Sequence, residues 1–200
     1  MKIKPLPEAE PRKRVLSDDE MRRFLTALSN EQDPYVRAAF QLLLDTGARN
    51  SEVLGAKWED FEMDTSSPLW RIPSPKAGRP QVIPLLAATT AMLQRLPQLG
   101  PYVIPGRNPS KPRYDLKRPW ERLKRNAELG DVHIHDIRRT FGLHIARTAG
   151  VHIASKLLRH SDVRVTERVY APLDLEDLRE HLERVKSPAE VVQFPVAQED

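Results

Sequence analysis

A chain of 200 residues is one domain of ordinary size, or one domain and a tail. With 40% hydrophobic and 30% charged residues and a mean hydropathy of −0.55, it is able to close a core in water, which excludes a fibre and a wholly disordered polymer. The formal net charge is +4, and there is no cysteine, so disulfides, thiolate metal sites and cysteine nucleophiles are excluded together.

Residues 1–16 contain Pro5, Pro7 and Pro11 and no apolar periodicity, and read as a linker without the apolar core of a secretion signal. Ser17-Asp18-Asp19-Glu20 has capping-box spacing, and Met21, Phe24, Leu25 and Leu28 follow at helical intervals. A second helix is predicted from Asp33-Pro34 to Thr46-Gly47, with proline in its first turn. Its apolar stretch Ala38–Leu44 is too short to span a bilayer. A third, short helix is expected from Ser51 to about Lys57. Between 58 and 85 the texture becomes strand-like through Trp58, Phe61, Trp70, Ile72, Val82 and Ile83, with Lys76-Ala77-Gly78-Arg79 as the turn between two extended runs. Helical pattern returns at 86–97, gives way to a loop or short extended segment from Gly100 to Gly106, and resumes from Asp115 to Leu129. Four further helices are expected at Asp136–Thr148, Val151–Arg159, Val163–Ala171 and Leu173–Val185, with Gly150 as a stop. Residues 187–200 form a proline-interrupted tail. The fold class is mostly α with a small antiparallel β-sheet (α+β).

Charge is unevenly spread. Residues 172–200 hold eight acids against Arg179, Arg184 and Lys186, so residues 1–171 carry a net +9. Of the 32 basic residues 22 are arginine, whose planar fork suits bidentate phosphate contact. A basic body with an acidic tail points to a polyanion partner or to a merely solvated surface. The densest basic stretch comprises Arg107, Lys111, Arg113, Lys117, Arg118, Arg122, Lys124 and Arg125, broken by Asp115 and Glu121. These eight are the candidate contacts to a DNA backbone.

Three clusters carry candidate chemistry. In the first, Thr46-Gly47-Ala48-Arg49-Asn50-Ser51-Glu52, an arginine stands at the mouth of a helix where backbone N–H groups also favour an anion, with Glu52 three residues on. Taken alone, this reads as a surface Arg–Glu pair at i,i+3. In the second, His135 and Arg138 lie three apart and share a helix face, Ile137 and Phe141 turn to the core, and Arg139 points away as a structural residue. The third is Leu157-Leu158-Arg159-His160-Ser161-Asp162 followed by Thr166 and Tyr170, where a tyrosine on an amphipathic helix is by itself ordinary half-buried core. His133, His135, Asp136 and His144 also raise a metal site, but His133 and His135 alternate as in a strand entering the helix and no acidic cluster has ligand spacing. No metal and no cofactor are expected.

The strings LLLDTGARNSEVLGAKWEDF, PKAGRPQVIPL, HDIRRTF and LLRHSDVRVTERVYAPL, in that order, resemble the boxes of the tyrosine recombinase (phage integrase) family across 17–172. The resemblance implies that Arg49 and Arg138 clamp the non-bridging oxygens of a scissile phosphate. It further implies that Lys76 protonates the departing 5′ oxygen, His135 accepts the nucleophile's proton, His160 supports the phosphate, Tyr170 is the nucleophile and Glu52 braces Arg49. Arg159 stands where the family usually has glycine, and Lys76 is flanked by prolines, which is less typical.

The implied organisation is a catalytic domain at 17–186 between the linker and the tail, without the family's usual N-terminal core-binding domain. The implied activity is site-specific recombination: DNA is cut and rejoined through a 3′-phosphotyrosine link, without metal or ATP. The alternatives are strand relaxation of the topoisomerase IB kind and a non-catalytic DNA-binding relic of the fold. Implied partners are double-stranded DNA and, on DNA, three further copies in a homotetramer joined by exchange of the C-terminal segment. The chain is expected to be a monomer in isolation, to involve no membrane, and to act in the cytoplasm of a bacterium or phage host. The chemistry is coherent: tyrosine, with a pKa of about 10, is a poor nucleophile unaided. Guanidinium charge facing the phosphate supplies what a divalent ion supplies elsewhere.

Overall fold

The computed structural model describes residues 12–73 and 81–159. The expected helices at 163–171 and 173–185, the turn at 76–79 and the tail lie outside them, as do Lys76, His160 and Tyr170. The chain divides into two compact units, residues 1–141 and 142–200.

In the first unit, α1 (Asp18–Ser29) opens as its spacing requires: Ser17 Oγ accepts the Glu20 amide at 3.2 Å and Glu20 Oε2 accepts the Ser17 amide at 2.9 Å. α2 (Pro34–Thr46) begins where Asp33 Oδ1 accepts from the amides of Tyr35 and Val36. It ends at Gly47, whose φ of 58° is the left-handed conformation that glycine adopts without a Cβ penalty. α3 (Asn50–Gly55) is shorter than expected and starts one residue earlier, because the Glu52 carboxylate reaches back to the Arg49 amide. Trp58, expected in a strand, instead opens a 3₁₀ turn through Asp60, where Asp60 Oδ2 accepts the Lys57 amide at 3.0 Å.

The small sheet is antiparallel, in the order β1 (Phe61–Glu62), β2 (Leu69–Ile72) and β3 (Gln81–Pro84). β2 and β3 are the two extended runs foreseen in the sequence, paired from Leu69 with Pro84 to Ile72 with Gln81. α4 (Ala87–Arg95) follows. The segment after Gly100 then returns to the exit of α3: the Val103 amide donates to Ala56 O at 2.9 Å and the Trp58 amide to Pro101 O at 3.0 Å.

α5 (Lys117–Asn126) is narrower than its periodicity suggests. Asp115 Oδ1 accepts the Lys117 amide at 3.0 Å and forms a local turn ahead of the helix, while positive φ at Glu128 and Gly130 ends it. α6 (Ile134–Ala149) starts two residues sooner than expected. The cause is Asp136, whose Oδ2 accepts the His133 amide at 2.8 Å, so His135 belongs to the first helical turn and not to an entering strand.

One apolar cluster joins these elements, built around Phe24 of α1, Phe40 of α2 and Trp120 of α5, with ring centroids 5.7–5.9 Å apart. Phe61 and Trp70, partners across β1 and β2, stack at 5.1 Å. In the second unit, α7 (Val151–Leu158) buries Ala154, Ser155 and Leu158 and ends at Arg159, which takes a left-handed φ of 56°.

Candidate active site

Two elements far apart in sequence build the described part of the site. The first is the turn between α2 and α3. Thr46 Oγ1 accepts the Ala48 amide at 3.1 Å, Gly47 reverses the chain, and Arg49 follows at the cap position of α3. Glu52 grips Arg49 twice: Oε2 accepts its amide and Oε1 accepts its Nη1–H, both at 2.7 Å. The arginine side chain is 45% exposed while Glu52 is 14% exposed, so the carboxylate is a fixed post and the guanidinium a presented group. Lone Arg–Glu surface pairs at this spacing are worth little. Here the pairing also fixes the backbone from which Arg49 projects.

The second element is the first turn of α6. Arg138 is buried, only 5% exposed, and its Nη1 donates to the carbonyl of Gly47, 91 residues away in sequence. One residue-turn further, Phe141 packs so closely on Gly47 that a Cβ there would lie 2.3 Å from its Cδ1. Arg138 and Phe141 thus dock α6 onto the very turn that carries Arg49. Ile137 is fully buried, as expected; Phe141 is only partly so, because its ring covers Gly47 rather than entering the core.

His135 lies on the same face as Arg138, with part of the residue's surface in solvent and part covered. Its imidazole is held below the ordinary histidine range, first by loss of solvent and then by the guanidinium charges of Arg139, Arg138 and Arg49, with Asp136 pulling the other way. That field favours the neutral ring, the form able to take up a proton at neutral pH.

Asp136 is the residue whose importance spacing alone understates. It is fully buried, and its carboxylate accepts from the His133 amide, from Arg139 Nη1 at 2.5 Å and from Arg12 Nε at 3.2 Å. Arg139 therefore acts structurally, as its position suggested. The i,i+3 spacing of Asp136 and Arg139 was a visible signal; the link to Arg12, across 124 residues, had none.

The eight candidate backbone contacts separate into two groups. Arg113 Nη2 pairs with Asp33 at 2.7 Å, and Arg122 reaches Glu31 through Nε at 3.0 Å and Nη2 at 2.5 Å. Both brace the loop between α1 and α2. Lys124 is partly buried, 3.8 Å from Glu121. Arg107, Lys111, Lys117, Arg118 and Arg125 remain exposed, three of them on α5, whose Trp120 and Leu123 are buried.

The model of the phage integrase family matches residues 14–176. The chain belongs to the phage integrase family. Among curated relatives, the tyrosine recombinase XerA of Saccharolobus solfataricus is 28% identical over 92% of this chain and 61% of its own length. The tyrosine recombinase XerD of Bifidobacterium longum is 29% identical over 83% of this chain and 60% of its own. The chain thus spans about three fifths of these relatives. In fold, it is similar to the crystal structure of XerA recombinase (TM-score 0.70, 22% identity, 90% of this chain and 67% of that one). It is also similar to the catalytic domain of bacteriophage HP1 integrase (TM-score 0.65, 20% identity), covering 90% of this chain and 98% of that one. A third neighbour is the Tn1549 transposon integrase in complex with transposon right end DNA (TM-score 0.69, 20% identity, 91% of this chain and 69% of that one). The phage integrase catalytic fold, mostly helical with a three-stranded antiparallel sheet, is therefore the fold of this chain. No helix among the described residues is long and apolar enough to cross a membrane.

Proposed function

We propose that this chain is the catalytic domain of a site-specific DNA recombinase that cleaves and rejoins duplex DNA through Tyr170. The observation that carries the reading is the docking of α6 on the α2–α3 turn. Arg138 is hydrogen-bonded to the carbonyl of Gly47, two residues before Arg49, and the charges of both arginines reach His135. Two guanidinium groups near an imidazole whose pKa is lowered match the electrostatics of a phosphoryl transfer, where negative charge grows on the phosphate oxygens in the transition state.

In this reading the Tyr170 oxygen attacks phosphorus and its proton passes to His135. The bond from phosphorus to the 5′ oxygen breaks, and Lys76 gives that oxygen a proton. Arg49, Arg138 and His160 hold the phosphate, and Glu52 holds Arg49. The phosphotyrosine conserves the phosphodiester bond, so attack by a free 5′-hydroxyl reverses the step without ATP. Attack by another strand's hydroxyl gives recombination, for which the assembly is a homotetramer on DNA. There the acidic C-terminal segment docks on a neighbouring copy, and the setting is the cytoplasm of a bacterium or phage host. The exposed cations Arg107, Lys111, Lys117, Arg118 and Arg125 supply backbone contacts in this reading, with Arg113, Arg122 and Lys124 contributing less.

The test is covalent trapping. The protein is incubated in EDTA with a pool of random-sequence duplexes nicked near their centres, so that a cleaved strand loses its short 5′-hydroxyl fragment. The expected result is an SDS-resistant, protease-sensitive DNA adduct, abolished by Tyr170→Phe and by Arg138→Ala. An adduct that persists in Tyr170→Phe overturns the assignment of the nucleophile. Plasmid relaxation with no joined product from paired sites favours the relaxation chemistry instead.

A further inference from the structure

We propose that Arg12 is a positioning residue for the active-site turn: by gripping Asp136 it sets where the first turn of α6 presents His135 and Arg138. The inference rests on the reading above and adds to it a residue outside the family's motifs.

Residues 12–16 have no regular structure, yet they are tied down at successive points. Arg12 Nε donates to Asp136 Oδ2 at 3.2 Å, and its Nη2 donates to Asp131 Oδ2 at 3.0 Å and to the Asp131 carbonyl. Arg14 reinforces the same loop from the other side, pairing with Asp131 at 3.4 Å and with Glu20 in the first turn of α1. The Leu16 amide then donates to Thr140 Oγ1 at 2.9 Å, and the Leu16 side chain is buried. The strap thus holds α6 at Asp136 and again one turn later at Thr140.

The Asp136 end matters most. This carboxylate is fully buried, and two guanidinium groups compensate it. The oxygen that Arg12 holds, Oδ2, is the same one that accepts the His133 amide and so starts the helix. Removing Arg12 leaves a buried charge with half its cationic compensation, which the structure relieves by turning or hydrating the carboxylate. Either movement loosens the His133 cap. His135 sits one residue before Asp136 and Arg138 two after, so a displaced carboxylate displaces both. Phosphoryl transfer tolerates little of this: a misplacement of about 1 Å costs on the order of 100-fold in rate.

The experiment compares wild type with Arg12→Ala, Arg12→Lys and Arg12→Gln at a temperature where all are folded. Amide exchange at His133 is followed by NMR without DNA. Adduct formation on the nicked random pool and affinity for plain duplex DNA are measured in parallel. In Arg12→Ala, exchange at His133 should rise about tenfold, the loss of one charge-assisted hydrogen bond. Adduct formation should fall by about 100-fold, with DNA affinity within about threefold of wild type. Arg12→Lys, which keeps a cation beside Asp136 without the fork that spans to Asp131, should recover part of both. If Arg12→Ala does not fold, Arg12→Gln replaces it with the same expected direction. Wild-type exchange and cleavage in either neutral variant overturn the proposal, and so does a cleavage loss that merely tracks DNA affinity, which marks Arg12 as a phosphate contact. If wild type itself forms no adduct, the functional reading fails, while exchange at His133 still decides whether Arg12 holds the turn.

Discussion

At the scale of single residues, Gly47 bears two independent demands: a left-handed φ of 58° and the Phe141 ring where a Cβ would go. Gly47→Ala should therefore cost about 2–4 kcal/mol, the sum of left-handed strain and overpacking. Urea unfolding reads the stability loss, and adduct formation should fall with it because Arg49 and Arg138 both hang on this turn. Arg159 is the converse case. Its φ of 56° is a glycine conformation, so the glycine usual in the family would meet no steric cost here. This chain keeps arginine, buried, with Nη1 donating to the Leu157 carbonyl at 3.0 Å. His135 gives the third case. Its folded pKa lies below the unfolded value near 6.5, so the unfolded chain takes up the proton first. Stability from this group is present above the unfolded value and is lost as pH falls through it towards the folded one. An NMR titration of the His135 ring should show a midpoint below 6.5, and cleavage should lose its base on the same acid limb. A midpoint above the ordinary value would contradict the electrostatic field described for the site.

At the scale of elements, α5 shows that basic residues on one helix do different work. Glu31 is buried and is held below the ordinary carboxylate range: burial opposes its ionisation, but the Asp33 amide and Arg122 outweigh that cost. Arg122→Ala strands this carboxylate and should destabilise the fold by roughly 1–2 kcal/mol, discounted because the guanidinium is partly exposed. Arg118→Ala, on the exposed face, should leave the unfolding midpoint unchanged and weaken duplex binding instead. Thermal melts and DNA titrations on the two variants separate the roles; matching effects on both readouts would merge them. The starts of α1 and α2 were legible in the sequence, since Ser17 and Asp33 act on amides within three residues. The exceptions share a cause: in α3, α5 and α6, Glu52, Asp115 and Asp136 bind local amides and move the start by one or two residues.

At the scale of the whole molecule, the basic residues dominate the reading of a DNA partner. Phosphate contacts release counterions, so affinity should fall linearly in log salt with a slope of about −0.9 per neutralised phosphate. Substituting one of Arg107, Lys111, Lys117, Arg118 or Arg125 should flatten that slope by about one contact. Substituting Arg113, which pairs with Asp33, should flatten it by less. Salt-insensitive binding would contradict a backbone-tracking surface.

What the sequence by itself determined is everything carried by short-range spacing. The capping box of α1, the proline start and glycine end of α2, the two extended runs that pair as β2 and β3 and the residues of each of the family's boxes all lie in stretches of a few residues. Local hydrogen bonds and side-chain periods write themselves there directly. Tertiary structure alone decided which distant groups meet. Arg138 chooses the Gly47 carbonyl, Arg12 chooses Asp136, and Arg113 and Arg122 pair with Asp33 and Glu31. Those choices follow from how the faces of α1, α2 and α5 pack around Phe24, Phe40 and Trp120 and from how Phe141 seats α6 on Gly47. A guanidinium has many carboxylates and carbonyls available to it in sequence, and only close packing brings one of them within reach.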